Sequence, residues 1–256
     1  MSRVTFVDPT PAQSIDRLAA RLVELTQEAL HDHRRFRLAI SGGSTPRPLW
    51  RQLAGPLRDA VPWTSVELYW ADERMVPPES EDSNYGAARR DLLDRVSIPA
   101  SQIHRVHGEL ASVDEAAKRY DLELERVFSA NSRMFDLVLL GIGPDGHTAS
   151  LFPGHAAVEE TARWATGDPN AGQPPFVPRV TTTLRAMASS SRAYFLVTGR
   201  DKRAALASVW GEPEASEGRL PAARVTARDE VAWYLDHDAA PTDRPVSLGA
   251  QGGEPS

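Results

Sequence analysis

Cysteine is absent from the 256 residues. That excludes disulfides, thiolate nucleophiles and cysteine-ligated metals, and it suits a reducing compartment. No apolar run is long enough to span a bilayer. The opening MSRVTFVDPTPAQS has no apolar signal core, so a cytoplasmic protein is expected. Positive charge is also short: the formal net charge is −6. Nothing in that balance attracts nucleic acid or an anionic membrane. An anionic ligand must then be met by local Lys, Arg or backbone N–H groups. Neither a Walker P-loop nor GxGxxG occurs, so no nucleotide is implied. Without GxSxG, a serine-hydrolase elbow has no signature either.

What is present is an alternation of helical and extended patterns. Apolar residues Ile15, Leu18, Leu22, Leu25 and Ala29 recur at helical spacing and predict a helix over 14–30. Further helices are expected over 84–96, 114–128 and 202–209. Short apolar runs at 36–40, 66–71, 135–140, 193–198 and 231–235 read as strands, and 179–183 as extended chain. Pro46 suits a first helical turn, with Thr45 or Ser44 as cap. Such alternation predicts an α/β fold, a mostly parallel sheet with right-handed crossovers. One domain is expected over 1–236. Residues 166–178, rich in Pro and Gly, read as a loop, and 237–256 as a disordered tail.

Four clusters sit where such sheets place ligands, just past the carboxyl ends of strands. Ser41, Gly42, Gly43, Ser44 and Thr45 link a strand to a helix. Glycines let backbone N–H groups approach an oxyanion, and a helix start adds a favourable dipole. A tight turn that binds nothing is the alternative, and the loop by itself leaves both open. Asp72, Glu73 and Arg74 follow the next strand, where Arg74 can hold an anion or a developing oxyanion. Asp145-Gly146-His147 follows the run FDLVLL. Histidine exchanges protons near neutral pH, and a neighbouring carboxylate orients it. His155 offers no convincing partner for a metal site with it, and no metal or cofactor is expected. Arg179 and Lys202 each open a segment near the sheet edge and can bring charge to a phosphate.

Five segments taken together resemble the 6-phosphogluconolactonase family, which is related to glucosamine-6-phosphate isomerase/deaminase. They are LAISGGSTPRPLW (38–50), YWADERMVPPESEDSNYG (69–86), LLGIGPDGHTASLFPG (139–154), RVTTTL (179–184) and FLVTGRDKRAAL (195–206). Their order is the family's order. The resemblance implies a Rossmann-like fold of the phosphosugar isomerase type. It also implies hydrolysis of 6-phosphoglucono-1,5-lactone, the second step of the oxidative pentose phosphate pathway. By the same resemblance, His147 is the base, Arg74 is the arginine of the DER motif, and the SGG loop binds the phosphate.

The deaminase-type pattern resembles DGHxxxxEP, with a glutamate supporting the histidine. Here that position is Phe152, which accepts no proton, and the DEY-like motif is replaced by Asp72-Glu73-Arg74. Both departures favour the lactonase. The expected site therefore has Ser41, Gly42, Gly43, Ser44, Thr45, Arg179 and Lys202 at the phosphate. His147, oriented by Asp145, activates water, Arg74 stabilises the oxyanion, and Asp72 positions Arg74 or the sugar hydroxyls. The expected partner is a small phosphosugar lactone, with no nucleic acid or membrane, and the chain is expected to be a monomer or weak homodimer.

Overall fold

A computed structural model describes residues 2–211 and 219–241. The elements run β1 (Ser2–Asp8), α1 (Pro11–His31), β2 (Phe36–Ile40), α2 (Arg47–Ala54), β3 (Val66–Trp70), β4 (Asp72–Arg74), α3 (Asn84–Asp91), β5 (Ile103–His104), α4 (Val113–Asn131) and β6 (Leu137–Leu140). They continue with β7 (Ala165–Asp168), β8 (Arg179–Thr182), α5 (Leu184–Ala188), β9 (Arg192–Val197), α6 (Arg203–Gly211), α7 (Pro221–Arg224) and β10 (Glu230–Asp236).

The larger sheet has the order β1-β10-β9-β6-β2-β3-β5 and every pairing in it is parallel. From β2 the chain steps one way, to β3 and β5. From β6 it steps the other way, to β9 and β10. The direction reverses between β2 and β6, whose register is Leu38 opposite Leu137. A reversal of this kind leaves a crevice beyond the carboxyl ends of the two strands, and both the glycine turn and the histidine loop start there. All four residues of β6 are buried, as a strand covered on both faces must be.

Helices shield the sheet for sequence-evident reasons. In α1, capped by Thr10 and opened by Pro11, the stripe Leu18, Leu22 and Leu25 is fully buried. Burying each leucine contributes about 1.5–3 kcal/mol. In α4 the hydroxyl of Tyr120 donates to the Trp70 carbonyl at 2.8 Å and accepts its N–H at 3.0 Å. The end of β3, two residues before Asp72, is thereby fixed in a dry environment where unmade hydrogen bonds are costly. Among the described residues, no helix is long and apolar enough to cross a membrane.

Several expectations need correction. A second, antiparallel sheet, β4-β8-β7, stands beyond the end of β3. Asp72–Arg74 is thus a strand, paired Asp72 to Thr181 and Arg74 to Arg179. Residues 166–168, expected in a loop, belong to β7, because pairing with β8 overrides their poor strand propensity. The helix expected over 84–96 stops at Asp91. At α2 no side chain caps the helix; Pro46 itself holds the cap position, and Pro48 is in the first turn. Of the expected tail, 237–241 packs on the body, with the His237 N–H on the Asp8 carbonyl and Ala239 buried. Residues 242–256 lie outside the described residues.

Candidate active site

The turn after β2 is shaped by two glycines with different duties. Gly43 has φ +94°, a backbone region that side chains disfavour. Gly42 is required by proximity: a β-carbon there would lie 1.8 Å from Oδ1 of Asn84. The N–H groups of Gly42, Gly43, Ser44 and Thr45 meet no protein acceptor among the described residues. With no side chain capping α2, those donors and the Ser44 and Thr45 hydroxyls line a cavity, an arrangement chemically suited to an anion. Ser41 differs from the expectation. Its hydroxyl donates to the Leu139 carbonyl at 2.9 Å, so its proton ties the turn to β6 rather than to a ligand.

The loop after β6 closes on itself. The Gly143 N–H reaches the His147 carbonyl at 2.9 Å, and Gly146, at φ +80°, donates to the Gly143 carbonyl at 3.1 Å. This brings the imidazole back over Gly143, where a β-carbon would lie 2.0 Å from the ring. Nδ1 of His147 is 2.6 Å from Oδ1 of Asp145, which also accepts the His147 N–H at 3.2 Å. A carboxylate on Nδ1 selects the tautomer whose Nε2 carries the lone pair. Burial alone would raise the Asp145 pKa. The imidazole's charge and hydrogen bond outweigh it and hold the carboxyl below its usual value. Phe152 packs on the ring at 4.7 Å between centroids.

Strand alternation separates Glu73 from its neighbours Asp72 and Arg74 in β4. Glu73 turns away from the crevice and accepts the N–H groups of Arg74, Asn84 and Tyr85 and the Ser83 hydroxyl. Burial pushes its pKa up to about 7 against those hydrogen bonds. Asp72 and Arg74 face the crevice. The Asp72 carboxylate accepts the Ser150 hydroxyl at 2.6 Å, so it is braced by the histidine loop, and it makes no hydrogen bond to Arg74 among the described residues. The Arg74 guanidinium donates through Nη1 to the Asp82 carbonyl at 2.7 Å, while its buried Nε has no partner.

Arg179, 3% exposed, donates Nε to the Val177 carbonyl and Nη2 to those of Gln173 and Pro175. Those bonds occupy the Nε and Nη2 side of the fork, Nη1 has no hydrogen bond among the described residues, and the residue lines the same cavity. Burial first, and the charge of Arg74 second, lower its pKa from the usual arginine value. Lys202 lies 3.8 Å from Asp201.

One cavity of about 310 Å³ gathers these groups. Its lining includes Ser41, Gly42, Gly43, Ser44, Thr45, Asp72, Arg74, His147, Arg179 and Lys202. Asp145 is not among the lining residues and stands behind the imidazole, an orienting place. Two further polar residues of the lining lie outside the expected site, Asn84 and Gln173. Asn84, 3% exposed, anchors Nδ2 on the Asp72 carbonyl at 2.9 Å. In the sequence it reads only as a polar residue opening a helix, although it lies inside the SNYG segment.

Known proteins resemble this chain in sequence and in fold. A sequence-family profile described as glucosamine-6-phosphate isomerases/6-phosphogluconolactonase matches residues 9–233. The 6-phosphogluconolactonase of Aggregatibacter actinomycetemcomitans is 36% identical, over 94% of this chain and 99% of that protein. The 6-phosphogluconolactonase of a Nostoc strain is 37% identical, over 88% and 90%. The crystal structure of 6-phosphogluconolactonase from Thermotoga maritima superposes with a TM-score of 0.79 at 28% identity, covering 92% of this chain and all of that one.

Proposed function

Because the chain belongs to the glucosamine-6-phosphate isomerase/6-phosphogluconolactonase family and is an enzyme of its lactonase branch, we propose that it hydrolyses 6-phospho-D-glucono-1,5-lactone to 6-phospho-D-gluconate, with His147 as general base. The observation that carries this reading is the placement of one imidazole. Its Nδ1 is tied to Asp145, and its ring lines a cavity shared with Arg74, Lys202 and the glycine turn.

The 6-phosphate sits against the N–H groups of residues 42–45, with Lys202 and Nη1 of Arg179 supplying charge. Nε2 of His147 removes a proton from water as its oxygen bonds to C1. Arg74 stabilises the oxyanion that develops on the carbonyl oxygen. The tetrahedral intermediate collapses by breaking the bond between C1 and the ring oxygen, which takes the proton back from the imidazolium. The new acid then ionises. Asp72, braced by Ser150, meets a sugar hydroxyl rather than Arg74. A general base typically contributes ~10²–10⁴-fold and one oxyanion donor ~10²–10³-fold. A lactone needs no covalent nucleophile. Phe152 beside the imidazole supplies no second carboxylate, which argues against deamination.

The reaction belongs to the pentose phosphate pathway. A cytoplasmic setting and a monomer or weak homodimer complete the proposal; cell fractionation and sedimentation check them. The deciding experiment follows lactone disappearance by NMR or spectrophotometry. Acceleration over the spontaneous rate is expected, and a rate equal to it would remove the proposal.

A further inference from the structure

The loop from Pro169 to Pro178 forms one wall of the cavity and is held by three contacts that all lead toward the histidine. Arg179 gathers its carbonyls at Gln173, Pro175 and Val177. Gly172 lies against Phe152, where a β-carbon would come within 2.9 Å of the ring that backs His147. Nε2 of Gln173 reaches Oδ2 of Asp145 at 3.4 Å. Oδ1 of that carboxylate already serves the His147 ring and N–H. Among the described residues, Gln173 is the one side chain that donates to Oδ2. A partly exposed carboxylate with one anchored oxygen can still turn about its last torsion, which is broad for such sp³–sp² bonds. A donor on the second oxygen removes that freedom.

We propose that Gln173 is a positioning residue for the general base: it locks the Asp145 carboxylate so that the imidazole of His147 presents Nε2 to the cavity, and Arg179 delivers it by clamping the loop. The proposal rests on the reading of His147 as the base, and it assigns Arg179 two tasks, one toward the loop and one toward the anion. Other charged groups also face the imidazole or its cavity: Asp72, Arg74, Arg179 and Lys202 line it. His155 stands behind Phe152, and Arg219 is on the segment whose Leu220 covers Gly146. None of these is itself substituted by a change at 173, and Arg179 meets that residue only at its backbone carbonyl, so the difference between a Glu and a Lys there reports the charge at 173.

The test is the pKa of His147, read from imidazole NMR shifts of the free protein and assigned with a His147→Gln variant. Gln173→Glu should raise it and Gln173→Lys lower it, each by about half to one pH unit, as a charge at this distance requires. Shifts of opposite sign place residue 173 beside the dyad, and the split between kcat and KM in the alanine variant separates positioning from loop folding. Gln173→Ala should lower kcat for the lactone about three- to tenfold, with KM held within about twofold, the signature of a group acting on the chemical step. Folded Glu and Lys variants that both keep the wild-type pKa would overturn the proposal, and so would an alanine variant with unchanged kcat. The NMR arm needs no turnover, so a protein that fails to hydrolyse the lactone yet shows the paired shifts would reject the substrate assignment alone.

Discussion

The amide oxygen of Asn84 fills the space a β-carbon on residue 42 would need, leaving the two 1.8 Å apart. The oxygen is buried and finds no donor among the described residues, while the same amide's nitrogen holds the Asp72 carbonyl. Asn84 therefore spaces the glycine turn from the strand that carries Asp72 and Arg74.

Substitution at either position should reveal that spacing. Gly42→Ala should destabilise the protein by about 1–3 kcal/mol, the usual cost of overpacking, and raise KM roughly tenfold by moving N–H donors off the phosphate. Adding Asn84→Ala to Gly42→Ala should recover part of both losses. Denaturant melts and lactone kinetics check this. A double variant worse than the sum of its parts would show that the two residues do not compete for one space.

His147→Ala should lower kcat by about 10²–10⁴-fold and leave competitive inhibition by 6-phosphogluconate largely intact. Asp145→Asn keeps the ring and loses only its charged partner, so its loss should be smaller. Unchanged turnover in the alanine variant would strip His147 of its role.

Lys202→Ala and Arg179→Ala should separate. Among the described residues the lysine makes no hydrogen bond to the wall loop, and its loss should raise KM with kcat within a few-fold. The arginine also holds that loop, so its loss should depress kcat and raise KM together. Steady-state kinetics of the two variants decide the matter, and identical profiles would contradict the difference drawn between them.

Glu73 predicts a pH dependence of stability. Its pKa rises from the ordinary 4.5 to about 7 on folding, chiefly through burial. The folded protein thus binds the proton more tightly. The stability this contributes is full below about pH 4.5 and is lost as pH rises through about 7, a change of the order of 3 kcal/mol. Urea unfolding at a series of pH values should show the decline in the wild type and a flatter profile in Glu73→Gln. Equal slopes would place the origin elsewhere.

The central strands were legible because β2, β3, β6, β9 and β10 are apolar runs bounded by glycine or charge, and the motifs at their ends put most of the site on the page. β7 was hidden, since Ala-Thr-Gly-Asp has no strand pattern of its own and is extended only because β8 lies beside it. Asn84 and Gln173 escaped for a related reason. Each acts on a residue far away in sequence, Gly42 and Asp145, and no local period records such a meeting. The Asp72-Glu73-Arg74 triplet looked like one cluster. Strand alternation sends Glu73 the other way, to cap α3, a division that only the pairing with β8 makes evident.

The position of β6 between β2 and β9 also governs when the molecule becomes safe during synthesis. Until residue 140 has emerged from the ribosome, β2 presents a bare ladder of amides and carbonyls, an invitation to foreign strands. Fragments ending before that point should therefore clump, whereas those extending past β10, which pairs both β9 and β1, should not, and the anion cradle cannot acquire its opposite bank before β6.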